Sequence, residues 1–101
     1  MPEGGITVVN NEAAQRFEVH VDGLLSQLTY QRRGDRIVFL HTEVPAALEG
    51  RGIASDLART ALDDARARQL RVVPLCPFVR GYIERHPEYQ ALVTSHASPE
   101  G

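Results

Sequence analysis

Glu49-Gly50-Arg51-Gly52-Ile53-Ala54 joins two segments with different hydrophobic periods. Before it, Arg36 to Val44 holds the nearly continuous apolar run Ile37-Val38-Phe39-Leu40, the pattern of a central strand buried on both faces. Pro45 ends that strand. After the glycines, Ile53 to about Gln69 turns helical: Ile53, Leu57, Ala61 and Ala65 recur at i, i+4, and Ala54, Ala58 and Leu62 widen the stripe. Arg59, Asp63, Asp64, Arg66 and Arg68 supply the wet face, and Asp63-Asp64 reads as solvated surface.

Working outward from this strand–loop–helix junction, Leu70 to Leu75 is a short strand, so strand, helix and strand form a right-handed crossover with a parallel pair. Phe78 to Glu84 is a short helix with Pro77 suited to its first turn and Pro87 closing it. Toward the N-terminus, Arg16 to Val21 alternates polar and apolar, with Phe17, Val19 and Val21 on one face. Asp22-Gly23 signals a hairpin turn into a strand over Leu24 to Arg32, whose one face carries Leu24, Ser26, Leu28 and Tyr30. Gly34-Asp35 marks the next turn. Ile6 to Val9 is expected as a short edge strand and Asn10-Asn11-Glu12 as a turn or one-turn helix start. The expectation is an α+β fold: an antiparallel β-meander, then a β-α-β unit and a short C-terminal helix. It is one domain over residues 1–101, with its core at about 6–93 and frayed ends at Met1–Gly5 and Thr94–Gly101.

Composition narrows the function. The formal net charge is -2 and no basic face stands out, which argues against nucleic-acid binding. All the basic residues are Arg. The single cysteine, Cys76, cannot form an internal disulfide. No apolar stretch approaches the roughly 20 residues of a membrane span, and the N-terminus lacks the pattern of a signal peptide, so a cytoplasmic location is expected. His20, His86 and His96 share no metal spacing with one another or with Cys76, so no metal site is expected.

The junction itself is suited to an anion. A helix start leaves four backbone N–H groups unpaired and carries partial positive charge. Glycines let backbone approach a bulky ligand, and Arg51 adds a charge-assisted donor. Together these make a pyrophosphate cradle. Neither a Rossmann fingerprint nor a P-loop is present: the third glycine is missing and no Gly-Lys-Ser/Thr occurs. Read on spacing alone, Gly50-Arg51-Gly52 also fits a plain tight turn.

His41-Thr42-Glu43-Val44-Pro45, then Gly50-Arg51-Gly52-Ile53-Ala54, then Cys76-Pro77-Phe78, occur in the order found in small single-domain proteins of the GNAT acetyltransferase superfamily, which the chain resembles over roughly Arg16 to Tyr89. Gly52 and Ala54 match the last two fixed positions of the superfamily's Gln/Arg-x-x-Gly-x-Gly/Ala motif, and Glu49 departs from the first. The resemblance implies an acetyl-CoA-dependent N-acetyltransferase. It implies that the strand before the loop splays from its parallel neighbour and admits the pantetheine arm beside Glu43 and Val44. It further implies that Gly50, Arg51, Gly52, Ile53 and Ala54 hold the pyrophosphate, and that Tyr82 stands where many such enzymes carry a Tyr that protonates the departing thiolate.

Three residues carry the expected chemistry. Cys76 lies before a helix start, which favours thiolate; it is read either as a nucleophile near the thioester or as a small packed hydrophobe. His41 and Glu43 alternate along one strand, and one of them is expected to take the proton of an attacking amine, His41 being preferred. Tyr82 also reads as core packing. The expected partners are acetyl-CoA and an amine acceptor, a protein or a small molecule, with the chain a monomer or weak dimer and neither nucleic acid nor membrane involved. The alternative reading is an acyl-CoA-binding or regulatory module without catalysis, because the chain lacks the extra N-terminal helices with which larger relatives build an acceptor pocket.

Overall fold

The computed structural model describes residues 6–93. Five strands run β1 Val9–Asn11, β2 Arg16–Val21, β3 Leu24–Arg33, β4 Arg36–Glu43 and β5 Arg71–Pro74, hydrogen-bonded in chain order. The first four are antiparallel and β5 is parallel to β4. Helix α1, Ile53–Ala67, makes the crossover; helix α2, Pro77–Arg85, follows β5. Short 3-10 turns occupy Ala46–Leu48 and Pro87–Leu92. Asp22 and Gly23 both take positive φ, 54° and 75°, the geometry that matches the twist of a two-residue hairpin. The α+β arrangement of meander, β-α-β unit and C-terminal helix is therefore present. The expected frayed ends lie outside the described residues.

Helix α1 lays Ile53, Leu57, Ala58, Ala61, Leu62 and Ala65 across the sheet, and these side chains are buried against Phe17, Val19, Leu28, Ile37, Phe39 and Val72. The i, i+4 alanines let the helix approach closely while leucines fill the gaps. Val79, Tyr82 and Ile83 of α2 join the same core.

Two expectations need correction. Strand β1 begins at Val9 and includes Asn10 and Asn11, which pair with Phe17 and Arg16; the turn falls later, at residues 12–15. A polar edge strand carries no period-2 apolar signal, and Asn11 reveals itself only in place, where its amide donates to Glu18 and its Oδ1 accepts from the Ala14 N–H. Strand β4 is not buried on both faces either: Ile37 and Phe39 are buried, Val38 is half-buried and Leu40 is exposed. The opposite face of the sheet carries His20, Gln27, Thr29, His41 and Glu43, all exposed or half-buried.

Candidate functional site

Strands β4 and β5 part company at one point. Their ladder runs from Arg36↔Arg71 to Phe39↔Pro74. The Leu75 N–H turns back to the Val73 carbonyl, 3.1 Å, and the Cys76 N–H makes the last link to the Phe39 carbonyl, 2.9 Å. Pro77 then has no N–H to give and starts α2. Strand β4 continues to Glu43 paired with β3 alone. Among the described residues nothing pairs with its other edge over His41–Glu43.

A cavity of 620 Å³ lies at this opening, lined by Leu25, Thr42, Glu43, Val44, Pro45, Glu49, Ala54 and Phe78. A smaller one of 140 Å³ adjoins it and shares Val44, Glu49, Ala54 and Phe78, adding Leu48, Gly50, Gly52, Ile53 and Ser55. The pair forms one surface from the end of β4 to the N-terminus of α1. There Gly52 is the N-cap residue, at φ 80°, and offers no side chain to cap the first-turn amides; the first helical bond is Asp56 N–H to the Gly52 carbonyl, 3.0 Å. Gly50 sits at φ 89°. A Cβ at either glycine would meet nothing within 4 Å, so the backbone conformation is what demands glycine, and the space beside them is open to a ligand. Arg51 extends into solvent with Asp22 3.7 Å away, an exposed pair that binds little energy and leaves the guanidinium able to move to an anion.

The register of β4 decides which side chains enter the opening. Tyr30 pairs with Phe39, but Thr29 pairs with His41, so Leu40 is an extra residue, a β-bulge. Past it, Thr42 falls opposite Leu28 on the core face, and His41 and Glu43 fall on the helix-free face. Thr42 Oγ1 lies 3.1 Å from Cys76 Sγ. An unbulged strand would have set His41 opposite Leu28, on the side of the thiol. With the bulge, the structure does not bring His41 to Cys76; Thr42 takes that place, and nothing in the sequence by itself marks Thr42 for it. Cys76 is 1% exposed and lines neither cavity.

Glu43 and His41 remain together, His41 Nε2 lying 3.3 Å from Glu43 Oε2, and of the two only Glu43 lines the cavity. Val44, Gly50, Gly52, Ile53 and Ala54 line the cavities as a set, and Glu49 lines both. Tyr82 does not: it is buried, stacked on His86 at 4.1 Å between ring centroids and packed near Tyr89. Tyr89 donates to Asp63 of α1, 2.7 Å, and burial first, then that carboxylate, push its hydroxyl up to about 12. Among the described residues no group of three His, Cys, Asp or Glu side chains is placed to hold a metal, and no helix is long and apolar enough to cross a membrane.

With this geometry in place, the chain can be set beside the proteins it is similar to. Protein NATD1 of Mus musculus is 38% identical over 92 residues, covering 88% of this chain and 84% of that protein. Protein NATD1 of Homo sapiens is 38% identical over 90 residues, covering 86% and 80%. A GCN5-like protein of Staphylococcus aureus, solved in solution by NMR, shares the fold with a TM-score of 0.67 at 23% identity, over 94% of this chain and 96% of that one. The family model of the GCN5-related N-acetyl-transferases matches residues 16–92, from the start of β2 to the end of the last 3-10 turn, and the chain belongs to that family.

Proposed function

We propose that the chain binds acetyl-CoA and transfers the acetyl group to an amine. The observation that carries this reading is the break in the β4–β5 ladder after Phe39, which opens onto a cavity continuous with the Gly50–Ala54 helix start. The β4 edge unpaired at Thr42 and Glu43, with Val44 just beyond it, suits the amide groups of a pantetheine arm. The first-turn amides of α1 and Arg51 suit the pyrophosphate. In the reaction, the amine nitrogen forms a bond to the thioester carbonyl carbon, the C–S bond breaks, and CoA leaves as the thiolate, which becomes the thiol by taking up the nitrogen's proton relayed through Glu43 and solvent. The nitrogen's proton passes to Glu43, which lines the cavity; His41 supports that carboxylate from 3.3 Å. The order of preference between His41 and Glu43 is thus reversed from the one the residues alone suggest. Because Cys76 is buried behind Thr42, direct transfer to the amine is favoured over an acetyl-Cys76 intermediate.

A thermal-shift titration tests the cofactor. Acetyl-CoA at a hundred times its dissociation constant adds roughly 2.7 kcal/mol to stability; an unmoved melting temperature at millimolar acetyl-CoA overturns the reading. Free CoA thiol released in the presence of a panel of primary amines tests turnover, and binding without amine-dependent release leaves a noncatalytic acyl-CoA-binding module. Intact mass after incubation with acetyl-CoA separates the two transfer routes: the wild type and Cys76→Ala should both remain unacetylated, whereas an acetyl adduct on the wild type alone would establish the covalent one.

A further inference from the structure

The helix-free face of the sheet carries a polar row that the proposed reaction does not account for. Glu18, Gln27 and Glu43 stand directly opposite one another across β2, β3 and β4. Two carboxylates flank one amide. Arg16 Nη1 donates to Gln27 Oε1, 3.2 Å, and Gln27 Nε2 donates to Glu43 Oε1, 2.9 Å. Arg16 can only donate, so it fixes which end of the Gln27 amide faces it, and the NH2 must turn to Glu43. Arg16 is itself held by Glu18, which also takes the Asn11 amide at 2.9 Å and lies 3.1 Å from His20 Nε2. Glu18 is 7% exposed, and the hydrogen bond from Arg16 above all holds its carboxyl down at about 2. The row therefore runs from a buried anchor outward to the cavity-lining carboxylate.

Taking the proposed role of Glu43 as its premise, the geometry assigns Gln27 as a positioning residue: oriented by Arg16 and Glu18, it holds the Glu43 carboxylate in one rotamer at the mouth of the cavity. The bulge at Leu40 is what makes this possible. In the register of the first half of the β3–β4 ladder, Thr42 would sit opposite Gln27; the extra residue replaces it with Glu43. An exposed glutamate ordinarily samples several rotamers and loses that freedom only against fixed partners. Here Gln27 binds one oxygen and His41 the other, so the side chain is ordered before an acceptor arrives.

Side-chain NMR on the full chain tests this without an acceptor. One Gln27 amide proton should lie downfield of the other exposed glutamines in the wild type, and this shift should be lost in Glu43→Ala. The scalar couplings of Glu43 should report a single χ1 rotamer in the wild type and an averaged one in Gln27→Leu. Acetyl-CoA affinity should change less than about twofold in Gln27→Leu, because the cradle lies elsewhere. Gln27 and Glu43 are not core residues, so both variants should keep the wild-type backbone spectrum. An unshifted Gln27 amide, a Glu43 rotamer indifferent to Gln27→Leu, or a large loss of acetyl-CoA affinity in that variant each overturns the assignment. Failure of the wild type to bind acetyl-CoA would instead remove the proposed function and leave the row's geometry standing.

Discussion

Replacing Glu18 with Gln removes the carboxylate that anchors the polar row while keeping its size. In the folded chain that carboxyl sits at about 2, against an ordinary 4.5, a gap of about 2.5 (4.5 − 2). At roughly 1.36 kcal/mol per pH unit the gap corresponds to an upper bound of about 3.4 kcal/mol. Arg16, its main partner, is 33% exposed, and solvent screening brings the expected contribution to about 2 kcal/mol, within the range for hydrogen bonds to charged groups. A domain of this size shifts its melting temperature by roughly 4–8 °C per kcal/mol, so Glu18→Gln should melt about 8–16 °C below the wild type at pH 7. Because the folded value is depressed, this stability is present above the unfolded value near 4.5 and is lost as pH falls toward about 2. At pH 3 only about one of the 2.5 units remains, so the difference between the two proteins should fall to about two-fifths of its pH 7 size. Melting followed by circular dichroism at pH 7, 5 and 3 measures it. A difference that is absent at pH 7, or equally large at pH 3, would refute the account of Glu18 as an ionised anchor.

Gly52→Ala places a Cβ at φ 80° and should cost about 1 kcal/mol of stability, with weaker acetyl-CoA binding by calorimetry because the methyl projects into the open space beside the helix start. Phe39→Ala empties the centre of the core at the last β4–β5 pair and should cost about 3–5 kcal/mol in urea unfolding, enough to leave the chain close to unfolded. Tyr89→Phe removes the hydrogen bond to Asp63 that ties the last 3-10 turn to α1, and should lower stability by about 1 kcal/mol without altering acetyl-CoA affinity.

The glycine loop was legible because its signals are local. A break in period, two glycines and a following i, i+4 stripe depend on backbone conformations within a few residues, and Gly50 and Gly52 do adopt the left-handed φ that residues with side chains rarely take. Helix α1 and the hairpin at Asp22-Gly23 were legible for the same reason. The bounds of the first edge strand were not, since Val-Asn-Asn carries no apolar face to move it from Ile6–Val9 to Val9–Asn11. The solvent-facing side of β4 was hidden too, because Val38 and Leu40 are apolar without being buried like Ile37 and Phe39.

By itself, then, the sequence determined the order of the elements, the β-α-β crossover and the glycine loop at the helix start, all consequences of short-range stereochemistry and hydrophobic period. Only the tertiary structure decided which face each β4 side chain occupies. A single extra residue at Leu40 reverses the alternation beyond it, and it shows up only as a mismatch between the pairings Tyr30↔Phe39 and Thr29↔His41. That one slip sends Thr42 to Cys76, turns His41 away from the thiol, and sets Glu43 opposite Gln27 at the edge of the cavity. Cross-strand register is a property of two strands together, and a period read along one strand cannot contain it.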